Sequence, residues 1–148
     1  MKTRILLVDD EEDFIKILSE RLTLRGFQIA TALTGEQALE KIKEYNYDVV
    51  ILDIAMPGMD GLEALKKIKD IKPLTEVIML TGHGTCETAI EGMKRGSFDF
   101  LLKPVKTDEL VEKINKAYNR KFETEERIKE ARLQHILSSR KVDENDYE

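Results

Sequence analysis

The sequence predicts an α/β fold on a five-stranded parallel β-sheet, because a short apolar run followed by a helical stretch recurs five times along its 148 residues. The runs Ile5–Val8, Val49–Leu52 and Val77–Leu80 show no polar alternation, as strands buried on both faces require. Each is followed by apolar residues at helical spacing rather than by a two-residue hairpin, so successive strands run parallel with right-handed crossovers. Ligand sites in such sheets lie outside the carboxyl ends of the strands.

The elements follow in order. Ile5–Val8 is a strand closed by Asp9-Asp10, and Phe14, Ile17, Leu18 and Leu22 predict a helix that stops near Gly26. Phe27–Thr31 is a weak second strand. Thr34 caps the next helix, with Gln37 completing a capping box and Ala38, Leu39 and Ile42 facing inward. Val49–Leu52 runs into Asp53 and a turn at Met56-Pro57-Gly58. Asp60 caps a helix through Lys69 whose inner face is Leu62, Leu65 and Ile68, and Pro73 breaks the chain. Val77–Leu80 ends in Thr81-Gly82, and a helix around Ala89, Ile90 and Met93 closes at Gly96. Phe98–Leu102 ends in Lys103-Pro104, and the last helix starts at Thr107 or Asp108.

Composition narrows the function. Apolar residues at 41% and charged residues at 36% suit a globular protein whose core is buried within one domain. A net charge of −5 without a concentrated basic face argues against direct nucleic-acid binding. Cys86 is the only cysteine, so no internal disulfide forms. The amino-terminal segment is too short in apolar residues for a signal or a membrane span, and a cytoplasmic location is expected.

Asp9, Asp10, Asp53, Thr81 and Lys103 all fall at carboxyl ends of predicted strands. Taken singly, each has an ordinary explanation as a turn residue, a helix cap or a solvated lysine. Their joint placement at one rim does not, since unrelated polar residues would scatter over both ends of the sheet. If the first and third strands are neighbours, three carboxylates converge, and each pair at about 4 Å costs roughly 1 to 4 kcal/mol. Oxygen-only donors of this kind suit a hard cation such as Mg²⁺. Lys103 adds a compact positive charge for a phosphoryl oxygen, and Thr81 a hydroxyl donor. The set fits phosphoryl transfer onto a carboxylate, with Asp53 as nucleophile.

The segments LLVDDEEDF, LDIAMPGMDG, TGHG and FDFLLKP, in this order and spacing, resemble the receiver domain of two-component response regulators over about residues 1–118. The resemblance implies a doubly wound, flavodoxin-like sheet of order 2-1-3-4-5 with helices on both faces. It implies that Asp53 takes a phosphoryl group from a phosphohistidine on a sensor histidine kinase or phosphotransfer protein. Asp10, Asp53 and the carbonyl of Ala55 would hold Mg²⁺, with Asp9 acting mainly through water. Thr81 would move to the phosphoryl group, Lys103 would pair with it, and Phe100 would swing inward. The Lys103-Pro104 peptide would be cis, a form that costs least at a bond preceding proline. Signalling would pass by protein contact through the face of the fourth helix, fifth strand and fifth helix, biased by phosphorylation. Such a protein is not a conventional enzyme, although it promotes its own phosphorylation and dephosphorylation. Ala55 has no side chain to orient an attacking water, which predicts slow hydrolysis, while the imidazole of His83 could shield or orient that water.

Three other readings fit less well. A phosphatase of the haloacid-dehalogenase kind wants an acid where Ala55 stands, and a flavin or nucleotide binder would meet repulsion from Asp9-Asp10-Glu11-Glu12. A pseudo-receiver that only dimerises leaves the complete set of site residues unexplained.

Residues 119–148 contain no Gly or Pro and extend the last helix, with Glu123/Arg127 and Glu125/Lys129 at i,i+4. Phe122, Leu133, Ile136 and Leu137 lie in a broad stripe. The stripe reads as a solvated helix fraying after Leu137, as a helix packed on a second copy or a kinase, or as a linker to an output domain. The acidic end from Asp143 is expected to be disordered. No output module follows, so the expected type is a single-domain receiver with a helical extension.

Overall fold

A computed structural model describes residues 2–82 and 86–146, and their side chains apart from those of Cys86 and residues 141–146. His83 and the side chains of the acidic end therefore lie outside the described residues.

The strands are β1 (Arg4–Val8), β2 (Gln28–Ala32), β3 (Val49–Asp53), β4 (Glu76–Thr81) and β5 (Asp99–Leu102). They alternate with the helices α1 (Glu12–Leu24), α2 (Gly35–Glu44), α3 (Gly61–Ile71), α4 (Cys86–Lys94) and α5 (Thr107–Asp146). All pairings are parallel and the order is β2-β1-β3-β4-β5, as the sequence predicts.

Strand side chains alternate between two apolar layers. Ile5, Leu7, Ile51, Ile78 and Leu80 pack with α1 and α5 through Ile15, Leu18, Leu22, Leu110, Ile114 and Ala117. Leu6, Val8, Val50, Leu52, Val77 and Met79 pack on the other face with Ala38 and Ile42 of α2 and Ala64, Leu65 and Ile68 of α3. Each such side chain larger than alanine contributes about 1.5 to 3 kcal/mol by leaving water, which is why the three central strands carry no polar alternation.

Local chemistry sets the helix limits. The Thr34 hydroxyl accepts the Gln37 N–H at 3.1 Å, and the Gln37 side chain accepts the Leu33 N–H at 2.9 Å, one residue earlier than in the usual capping box. Asp60 accepts the Glu63 N–H at 2.9 Å. Gly26 and Gly96 take φ of 94° and 103° just past α1 and α4, a region a side chain disfavours.

Two inner faces differ from the sequence pattern. In α1 the buried positions are Ile15, Leu18 and Leu22, while Ile17 is 50% exposed. At about 100° per residue, Ile17 lies more than a quarter turn off the line of the other three. In α4, Ala89 and Gly92 face inward and Ile90 and Met93 are exposed. A Cβ on Gly92 would already touch Met79 and Ser97, so only small residues fit between α4 and the sheet.

Helix α5 is continuous over 40 residues. Its contacts with the body run past Ala117 to the amino-terminal end of the sheet. Arg120 pairs with the buried Glu76 and lies 4.6 Å over the Phe98 ring, and Lys121 reaches Asp48 at 3.2 Å. Glu76 also faces Lys69, whose ammonium donates to the Pro73 and Thr75 carbonyls at 2.7 and 2.9 Å. Beyond that clamp the ion pairs among the described residues are Lys121 with Glu125 and Lys129 with Glu126, in place of the two i,i+4 pairs read from the sequence.

Candidate functional site

Sheet register assembles the rim. The connection after β1 leads to β2 on one side, and the chain returns past β1 to β3 on the other, so the carboxyl ends of β1 and β3 flank the point where strand order reverses. Val8 is level with Leu52, which places Asp9 beside Asp53. Asp53 is level with Leu80, and Thr81 with Leu102, so Thr81 and Lys103 follow in step across β4 and β5.

Three carboxylates converge there: one oxygen each of Asp9, Asp10 and Asp53 lies within 4.8 Å of the others, a grouping able to hold a metal ion. Asp9 is fully buried and Asp53 nearly so, whereas Asp10 is open to solvent. The Lys103 ammonium donates to Asp9 Oδ2 at 2.7 Å and sits 3.7 Å from both Asp53 Oδ2 and Glu11 Oε1. It also lies 4.5 Å over the Phe14 ring, a cation–π contact that fixes its other side. Asp9 accepts a second hydrogen bond from the Glu11 N–H at 2.9 Å, and Asp53 Oδ1 one from the Ala55 N–H at 3.3 Å. Among the described residues this site is thus a buried anion pair with one lysine, and an exposed third acid.

The electrostatics follow from that count. Burial, then the neighbouring charge of Asp9, pushes the Asp53 carboxyl up from 3.8 to about 6, against the lowering by Lys103 and the Ala55 N–H, with Asp10 adding to the rise. Burial pulls Lys103 down, but its hydrogen bond to Asp9 and the charges of Asp9, Asp53 and Glu11 outweigh it, and the net direction is up. Both shifts describe a site one positive charge short, which a hard cation on oxygen donors would correct.

The remaining sequence-selected residues, apart from Phe100 within β5, are also at the rim. Thr81 is buried at the end of β4, and its carbonyl accepts the Lys103 N–H at 2.8 Å. Ala55 is exposed in the loop after β3. Phe100 points outward on β5 at 37% exposure, and the Lys103-Pro104 bond is cis. Lys103 is engaged with Asp9 more closely than with Asp53, a preference that spacing alone does not reveal.

Sequence reasoning passed over three contributors. Phe14 reads as a core residue and Glu11 as part of an acidic run, yet both touch the Lys103 ammonium. Gly61 is the third. A Cβ there would overlap the Asp53 carbonyl oxygen and Ile54 Cα, and the Gly61 N–H donates to the Ile54 carbonyl at 2.9 Å. The glycine directly after the Asp60 cap was the available signal.

With this geometry in hand, comparison with known proteins is specific. Residues 5–115 match the family described as the response regulator receiver domain. The chain belongs to that family, the receiver domains of two-component response regulators. The regulatory protein AtoC of Escherichia coli (strain K12) is 39% identical over 107 residues, covering 72% of this chain and 23% of that protein. The transcriptional regulatory protein GlrR of the same strain is 38% identical over 128 residues, covering 86% of this chain and 29% of that protein. The crystal structure of a response regulator receiver domain protein from Clostridium thermocellum superposes with a TM-score of 0.78 at 40% identity, over 80% of this chain and 96% of that one. The chain thus spans 23% to 29% of the length of these two curated relatives. Among the described residues no helix is long and apolar enough to cross a membrane.

Proposed function

We propose that Asp53 is the phosphoacceptor of this receiver, taking a phosphoryl group from a phosphohistidine on a sensor histidine kinase or a phosphotransfer protein. The observation that carries this reading is the Lys103 ammonium 3.7 Å from a nearly buried Asp53 that shares its pocket with two further carboxylates. Asp53 attacks phosphorus in line, a P–O bond forms, the P–N bond of the phosphohistidine breaks, and the imidazole nitrogen keeps the electron pair. Lys103 pairs with one phosphoryl oxygen and the Thr81 hydroxyl moves to another.

The donor set fits Mg²⁺: Asp10, Asp53 and the Ala55 carbonyl would hold it, and Asp9 would act through water. When bound, the ion neutralises charge that grows on the phosphoryl oxygens. The chain works as a switch rather than a conventional enzyme. Its output passes by protein contact through α4, β5 and α5, where Ile90, Met93, Phe100 and Leu102 are exposed, with Phe100 turning inward as Thr81 moves. A homodimer through this face or through the carboxy-terminal helix extends the reading. This part of the protein makes no direct nucleic-acid contact and acts in the cytoplasm. Residues 1–118 form the receiver, and 119–148 its helical extension.

Incubation with Mg²⁺ and acetyl phosphate, beside Asp53→Ala, tests the reading by intact mass. A labile phosphoryl adduct absent from the variant is expected; an adduct that survives in Asp53→Ala, or none in the unmodified chain, would overturn it. Ala55 predicts slow loss of the adduct, and Ala55→Asn should shorten its lifetime. A marked lengthening would count against that assignment.

A further inference from the structure

Past the clamp at Arg120 and Lys121, α5 presents an uncovered apolar stripe. Phe122 is 52% exposed, Leu133 57%, Ile136 49% and Leu137 45%, and the Phe122 ring lies 6.4 Å from that of Tyr118. The stripe is not a continuation of the face of α4, β5 and α5. Lys113 marks the β5 side of α5 by its pair with Asp99, and Asp108 marks the α1 side by its pair with Arg25. At about 100° per residue, Phe122 and Leu133 project on the side of Asp108 and roughly opposite Lys113. A surface on this side runs from the exposed Asn115 through Tyr118, Asn119 and Phe122 to Arg140.

Between Phe122 and Leu137 the stripe carries two charges, Glu126 and Lys129, and they decide its occupant. In a parallel pair of copies, Glu126 would meet Glu126 and Lys129 would meet Lys129 at the seam, which is repulsive. In an antiparallel pair centred between Arg127 and Ile128, Glu126 of each copy meets Lys129 of the other. The same register sets Phe122 against Leu133, Asn119 against Ile136 and Asn115 against Arg140, with Tyr118 beside Ile136 on one flank and Leu137 beside Asn119 on the other. Every large apolar residue of the stripe is covered, over a seam of roughly 37 Å at 1.5 Å per residue. On one flank Glu125 faces Arg132 of the second copy. On the other, Glu123 faces Glu130 at exposed positions, where like charges cost little.

We propose that this extension is a self-association surface, in which each copy lays residues 129–140 antiparallel along residues 115–126 of the other, on the α1 side of α5. The pairing deepens the partner reading above but does not depend on phosphorylation of Asp53. The Glu126 to Lys129 contact within one helix, 3.4 Å, is exchanged for the same contact between copies.

A charge swap tests the register. Sedimentation equilibrium of the 148-residue chain should give a dimer at micromolar concentration. Glu126→Lys alone sets lysine against lysine and should weaken it at least tenfold, as should Lys129→Glu. The double variant, Glu126→Lys with Lys129→Glu, should return to within about threefold of the parent. Both positions are solvent-exposed in the single chain, and circular dichroism with acetyl phosphate labelling of Asp53 checks that each variant is folded. A monomeric parent, or a double variant no tighter than the singles, would overturn the proposal while leaving the phosphoacceptor reading intact. Equal dimerisation of all variants would point to the face of α4, β5 and α5 and equally overturn it.

Discussion

Replacing Asp53 by asparagine should stabilise the metal-free protein, and the size of the gain follows from the crowding of charge at the rim. The folded carboxyl sits at about 6 against 3.8 for a free aspartate, so the native state binds this proton more tightly than the unfolded chain does. Ionising Asp53 therefore costs stability. The cost is absent below about pH 4, grows as pH rises from 4 to 6, and is complete above 6. Two pKa units correspond to about 3 kcal/mol, and screening at an open rim brings the expected gain in Asp53→Asn at pH 7.5 to about 2 kcal/mol. For a chain of this size that is a rise of about 4 to 8 °C in Tm. The substituted amide keeps an acceptor for the Ala55 N–H and leaves Lys103 paired with Asp9. Urea denaturation in EDTA at pH 4.5, 6 and 7.5 measures the difference. The gap should shrink on acidification, and Mg²⁺ should close most of it at pH 7.5 by stabilising the parent alone. An Asp53→Asn variant no more stable than the parent at pH 7.5, or a gap independent of pH, would refute the account of the site as short of positive charge.

Other outcomes concern the backbone beside the site and the clamp at the far end of the sheet. Gly61→Ala should cost about 2 to 3 kcal/mol and slow labelling by acetyl phosphate, because backbone beside Asp53 must move. Gly82→Ala, where among the described residues a Cβ meets only Lys103 Cδ at 3.9 Å, should show no such crowding effect in the same assays. Glu76→Gln removes a buried carboxylate from between Lys69 and Arg120 and should cost about 2 to 3 kcal/mol in urea denaturation, softened by the two carbonyls that still accept from Lys69. A change under about 0.5 kcal/mol would show that the clamp contributes nothing.

The sheet and its rim were legible because parallel strands buried on both faces leave continuous apolar runs, and the residue after each run must emerge at the carboxyl end. Asp9, Asp53, Thr81 and Lys103 could be placed side by side from that rule and the strand order. Helix faces were less legible. Ile17 and Ile15 are the same residue type two positions apart, and only the direction of the sheet decides which is buried. Ile90 and Met93 look like core by composition, but Gly92 sets α4 so close to β4 that large residues must turn out. Pairings across long sequence separations left no local trace at all. Nothing near Glu76 announces Arg120, and nothing near Lys103 says that Asp9 holds it more closely than Asp53 does.

The clamp at the foot of the sheet gives α5 the mechanics of a lever. One arm, from Thr107 to Ala117, is packed against the core and begins a few residues from Lys103; the other, beyond Lys121, makes no ion pair with the body among the described residues. The free arm is about 28 Å long to Arg140 at 1.5 Å per residue. With Arg120 and Lys121 as the fulcrum, a tilt of about 5° at the rim end carries Arg140 through roughly 2 to 3 Å. The same tilt moves Thr107 by about 1.8 Å, so a shift at the rim would reach Arg140 in the opposite direction and enlarged about 1.4-fold, on the scale at which packed side chains interdigitate.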